Sequence, residues 1–116
     1  TSSGGLVNGF PIFTEDFNTG APGWTTVNNS TGGTPANAAW NIRNSGYNPA
    51  GTSGITNVSS NDASQFYLSN SDSQGIGSTT NVELISPVFA IPSTYTSVSL
   101  SFYHYLRLFQ QANNPY

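Results

Sequence analysis

The chain has 116 residues, of which 6% are charged, with two Arg, no Lys, five acids and a formal net charge of −3. That length suits one domain, since single cores are typically built from about 100–150 residues. Phosphate binding needs clustered Lys and Arg, and Arg43 and Arg107 stand alone, so nucleic acid and anionic membrane surfaces are excluded as partners.

Zero Cys rules out a disulfide scaffold and thiolate metal sites without fixing the compartment. Solubility rests on neutral polar residues: 17 Ser, 13 Thr and 14 Asn. Aromatic residues make up 13% of the chain, enough to seed a core and to argue against disorder. No apolar run approaches the roughly 20 residues of a membrane-spanning helix, and none resembles a signal peptide. The chain begins with Thr1, which reads as a mature form after removal of a targeting segment.

Helical periodicity is missing, so strands are the default. Residues 1–10 read as an N-terminal extension, and 11–116 as the N-terminal part of a jelly-roll β-sandwich domain. The first expected strand is Phe13 to Phe17, where Phe13, Glu15 and Phe17 alternate with Thr14 and Asp16. A turn at Asn18-Thr19-Gly20 and a Pro22-Gly23 break lead into a strand from Trp24 to Val27. Residues 28–38 form a polar loop, followed by a strand from Ala39 to Arg43 that contains Trp40. The stretch from Asn44 to Asn61 is a long polar loop, beyond the usual 4–6 residues, which Ile55 and Val58 could pin.

Gln65 to Leu68 is a short strand, closed by the polar segment Ser69 to Thr80. Val82 to Ile91 reads as an edge or bulged strand interrupted by Ser86-Pro87, where Pro need not donate. Ser97 to Phe109 is the longest strand, with Val98, Leu100, Phe102, His104, Leu106 and Leu108 on a core face. Ser97, Ser99, Ser101, Tyr103, Tyr105, Arg107 and Phe109 fall on the other. A strand of that length belongs in the centre of a sheet, yet only Gln110 to Tyr116 follow it. The expectation is an all-β, antiparallel β-sandwich of jelly-roll type. It is incomplete at its C-terminal end, or completed by another chain.

The order Phe13-Thr14-Glu15-Asp16-Phe17, Pro22-Gly23-Trp24-Thr25, Trp40, Leu84-Ile85-Ser86-Pro87-Val88-Phe89 and Leu100-Ser101-Phe102 resembles the cleaved-adhesin, or choice-of-anchor J, domain. Domains of that family are MAM-like jelly rolls of secreted surface proteins in gliding and gingival bacteria, exported by the type 9 secretion system. The resemblance spans roughly residues 10 to 108, and no single motif exceeds six residues. It implies a further strand and a Gly-Trp-type motif after Phe109, hence about the first two thirds of a domain. It also implies secretion to a bacterial cell surface, a role in adhesion, and a structural calcium ion near Glu15.

Glu15 and Asp16 are adjacent on an expected strand and face opposite ways, so they cannot form a catalytic carboxylate pair. Either can contribute oxygens to a hard cation such as Ca²⁺, which takes six to eight; the alternative for Glu15 is a solvated acid or one paired with Arg43. Asp62 and Asp72 lie in Ser- and Asn-rich loops that favour Asx turns. His104 is the only histidine and reads as a buried neutral imidazole. With no G-x-S-x-G elbow, nucleophilic catalysis has no basis, and a non-catalytic role is expected.

Trp24 and Trp40 read as core residues before they read as sugar-stacking platforms. The better ligand-binding candidates are Tyr103, Tyr105 and Arg107, which combine stacking with forked hydrogen bonding. Surface glycan or protein is the expected partner. The stripe could instead be covered by missing strands or a neighbouring domain. Two further readings stand beside adhesion: an assembly subunit whose open edge takes a strand from another chain, and an accessory domain of a larger secreted enzyme.

Overall fold

A computed structural model describes residues 11–49 and 55–107. The expected extension 1–10, and Leu108 and Phe109 of the expected last strand, lie outside the described residues. Four short strands form among those described: β1 (Thr25–Asn28), β2 (Asn41–Arg43), β3 (Phe66–Leu68) and β4 (Val82–Ile85). Two 3-10 turns, Pro35–Ala38 and Asp72–Gln74, complete the regular structure. The class is all-β, with two small antiparallel sheets.

β1 and β4 pair antiparallel from Thr25↔Ile85 to Asn28↔Val82. Their β-branched Thr25, Thr26, Val27, Val82 and Ile85 suit a pleated ribbon. The ladder runs on past the strand ends. Asn29 N–H donates to the Asn81 carbonyl at 2.8 Å, and Thr31 and Thr79 exchange a pair of bonds at 2.9 and 2.8 Å. β2 pairs with β3 antiparallel, Asn41↔Leu68, Ile42↔Tyr67 and Arg43↔Phe66. An isolated bridge between Tyr47 and Val58 then ties the long loop across, as expected of Val58.

Three expected strands are corrected. Phe13 to Phe17 forms no ladder and ends in a left-handed turn, because Phe17 has φ 60° and its N–H is taken by Glu15 Oε1 at 2.7 Å. β4 stops at Ile85, six residues short of Ile91; Ser86-Pro87 ends the pairing because proline has no N–H to offer a neighbour. Residues 97–107 carry no strand at all. Alternation marks a chain able to pair on one face, but a strand exists only where a neighbouring backbone accepts its hydrogen bonds, and none among the described residues does so.

An aromatic cluster joins the two sheets. Trp24, just before β1, meets Phe17 edge-on at 5.2 Å and Phe13 at 6.2 Å. Tyr67 of β3 packs edge-on against Phe17 at 5.2 Å, and Phe89, beyond β4, stacks on Phe13 at 5.0 Å. Such offset and T-shaped pairs add about 0.5–1.5 kcal/mol beyond area burial. The cluster is half-open, however, and among the described residues the buried ones are Ala21, Ala38, Pro49 and Gln74.

The largest enclosed side chain is thus polar. Gln74 is 2% exposed. Its Nε2 donates toward the carbonyls of Thr31 (3.0 Å), Gly32 (3.1 Å) and Thr79 (3.3 Å), while its Oε1 accepts from Thr80 Oγ1 at 2.7 Å. The Thr34 N–H donates to its backbone carbonyl at 2.7 Å. One amide therefore fastens the 28–38 loop to the 69–80 loop. Gly33 makes this approach feasible: it has φ 55°, and a β-carbon there would run into the Gln74 carbonyl oxygen.

Candidate functional site

Glu15 and Asp16 are each committed locally. Glu15 Oε1 accepts the Phe17 N–H at 2.7 Å and its Oε2 accepts the Trp24 indole N–H at 3.2 Å. Asp16 takes the Asn18 N–H on Oδ1 (3.0 Å) and the Asn18 side-chain amide on Oδ2 (3.1 Å). These acids border a shallow depression of about 480 Å³ lined by Phe13, Thr14, Glu15, Asp16, Thr19 and Pro22. All four carboxylate oxygens face N–H donors, whereas a calcium ion needs six to eight oxygens turned toward it. No group of three or more metal-ligating His, Cys, Asp or Glu occurs among the described residues. Glu15 thereby orients Trp24 within the aromatic cluster.

Arg43, the alternative partner considered for Glu15, lies over the Tyr47 ring, with Cζ 4.5 Å from the ring centre. Asp62 forms the expected Asx turn, accepting the Ser64 N–H at 3.1 Å. The Ser64 side chain and backbone hold the Asp62 carboxyl below its ordinary value of 3.8. A carboxyl lowered in this way contributes stability above its unfolded pKa and loses it as pH falls through the folded pKa. The side-chain carboxyl carbon of Asp62 is accordingly expected to titrate by NMR below pH 3.8, and to move back toward that value in Ser64→Ala.

The expected ligand stripe lies in the open. Tyr103 is 83% and Tyr105 67% exposed, and Arg107 is exposed as well. The expected core face is no better covered: Leu100 is 83%, Phe102 70% and Leu106 69% exposed. His104, expected to be buried, is exposed and packs against Phe102 with ring centres 5.8 Å apart. The two rings, two positions apart, thus meet without a ladder.

Trp24 sits in the aromatic cluster, as expected of a packing residue. Trp40 is half-buried, with an enclosed indole N–H that has no partner among the described residues. Gln74 escaped notice in the sequence because Ser-Asp-Ser-Gln-Gly reads as a turn. Its acceptors Thr31 and Gly32 lie more than 40 positions upstream, so no local signal exposes it. The pairing of Arg43 with Tyr47 was also missed, although an arginine four residues from a tyrosine in a polar loop is a usable hint.

No family model, curated protein or solved structure matches the chain. Among the described residues no helix is long and apolar enough to cross a membrane.

Proposed function

We propose that the chain is a non-catalytic binding module of a secreted bacterial surface protein, a jelly-roll β-sandwich of the choice-of-anchor J type, that engages surface glycan or protein. The observation that carries this reading is the exposure of Tyr103, Tyr105 and Arg107 within one short segment. Two phenol rings and a guanidinium at alternate positions offer flat stacking surfaces beside a forked donor, a combination suited to sugar rings and peptide backbone. The neutral, hydroxyl-rich surface around them suits a partner recognised at short range, because it offers no cationic field. Motif order supports the jelly-roll assignment, and the aromatic cluster joining two antiparallel sheets is compatible with it.

The triple variant Tyr103→Ala, Tyr105→Ala, Arg107→Ala is expected to lose at least tenfold in binding to a glycan array and to intact cell surfaces, with Tm unchanged. Retention of full binding by the triple variant would remove this surface from consideration.

A second reading draws on the comparable exposure of Leu100, Phe102 and Leu106 at even-numbered positions of the same segment. With both faces open, the segment suits completion by a strand from another subunit. Sedimentation of the whole protein separates the two: concentration-dependent oligomers abolished by Leu100→Asp support assembly, and a monomer at high concentration rejects it.

A further inference from the structure

A depression beside Arg43 is lined by no residue of the stripe assigned above. It is about 430 Å³ in volume, and its walls include Arg43, Asn44, Ser45, Tyr47 and Gln65. Its shape follows from the turn after β2. Tyr47 N–H donates to the Asn44 carbonyl at 3.1 Å, and Gly46 N–H donates to the Val58 carbonyl at 2.9 Å. Val58 N–H in turn donates to the Tyr47 carbonyl at 2.8 Å. These bonds hold the Tyr47 ring against the guanidinium 4.5 Å away. Stacking uses a face of the guanidinium and leaves its edge donors available. Within that edge, Arg43 Nε is enclosed and has no hydrogen-bond partner among the described residues. An atom so enclosed is out of a ligand's reach, which leaves the terminal Nη donors to meet one.

We infer that this depression binds the carboxylate of an acidic saccharide, a hexuronate unit, through Arg43. A carboxylate matches the end of the guanidinium with two parallel N–H···O bonds from its terminal nitrogens. The saccharide part follows from the walls. Gln65 Nε2 donates to Asn44 Oδ1 at 2.8 Å, which orients two amides whose other polar atoms match ring hydroxyls. Tyr47 adds a flat aromatic surface of the kind sugars stack on. The volume lies within the ~300–1,000 Å³ of small-molecule sites. An acidic peptide would satisfy the guanidinium equally but makes less use of the amide wall.

The test is a titration of the whole protein, followed by backbone amide NMR, with digalacturonic acid, its dimethyl ester and the tripeptide Gly-Glu-Gly. Digalacturonic acid is expected to shift the amides of residues 43–47 and 65. The ester and the tripeptide are each expected to bind at least tenfold more weakly. Arg43→Gln is expected to abolish the shifts, and Arg43→Lys, which keeps the charge but not the fork, to weaken binding at least fivefold. The Tyr103, Tyr105 and Arg107 triple alanine variant is expected to bind digalacturonic acid as the parent does, which separates this site from the one proposed above.

The inference is overturned by equal binding of the ester or the tripeptide, by unchanged binding in folded Arg43→Gln, by shifts that follow the Tyr103 stripe, or by no binding. The ester comparison uses the unaltered protein, so the inference stays open to refutation even where Arg43→Gln does not fold.

Discussion

Gln74→Leu is expected to destabilise the protein by about 3 kcal/mol, although it places an apolar side chain in an enclosed position. The gain from burying leucine is outweighed by what the amide leaves behind. Thr31 and Thr79 keep their mutual backbone bonds, but the Gly32 carbonyl loses the Gln74 Nε2 donor and Thr80 Oγ1 loses the acceptor at 2.7 Å. Each buried polar group left unsatisfied costs about 1–3 kcal/mol. For a domain of this size 3 kcal/mol lowers Tm by roughly 10–20 °C, readable by thermal unfolding.

Gln74→Glu provides a sharper check. It sets a carboxylate against three carbonyl oxygens, which raises its folded pKa above the unfolded value near 4.3. The penalty then appears as pH rises through the unfolded pKa, so this variant is expected to be more stable relative to the parent at pH 4 than at pH 7. Gly33→Ala, which drives a β-carbon into the Gln74 carbonyl, is expected to destabilise the same junction. A Gln74→Leu protein with the parent's Tm would show that the 28–38 and 69–80 loops are held by other contacts.

Trp24→Ala is expected to cost about 3 kcal/mol as well, at the low end of the range for aromatic truncations because the ring is only half-buried. The indole contacts Phe13, Phe17 and Tyr67 and donates to Glu15. Glu15→Ala breaks that bond together with the one from the Phe17 N–H; hydrogen bonds to charged groups contribute about 1.5–3 kcal/mol. The two substitutions are expected to be less than additive by about 1 kcal/mol, since each removes the shared Glu15–Trp24 bond. Chemical denaturation of the two single variants and the double variant measures this directly. Strict additivity would leave Glu15 with no part in orienting the indole.

Local chemistry determined a good deal of this protein. The β-branched and aromatic runs at Thr25–Asn28, Asn41–Arg43, Phe66–Leu68 and Val82–Ile85 became strands within a residue or two of their expected starts, because propensity and flanking turns act over a few residues. The Asx turn at Asp62 and the break at Ser86-Pro87 are equally local. The packing role of Trp24 was legible too, since a large ring delivered by a Pro-Gly turn has few alternatives to a core.

Tertiary structure decided the rest. Whether Phe13 to Phe17 or residues 97–107 become strands depends on a partner backbone, which alternation cannot supply. That Glu15 holds the Phe17 and Trp24 N–H groups on its two oxygens depends on where the fold brings those donors. His104 alternates with core-type residues, yet a face is buried only when something lies against it. Gln74 is the clearest case: a turn residue by sequence, it became the largest enclosed side chain because loops more than 40 residues apart converge on it. Short-range preference is written in each segment, whereas hydrogen-bond partners and burial arise from long-range pairing.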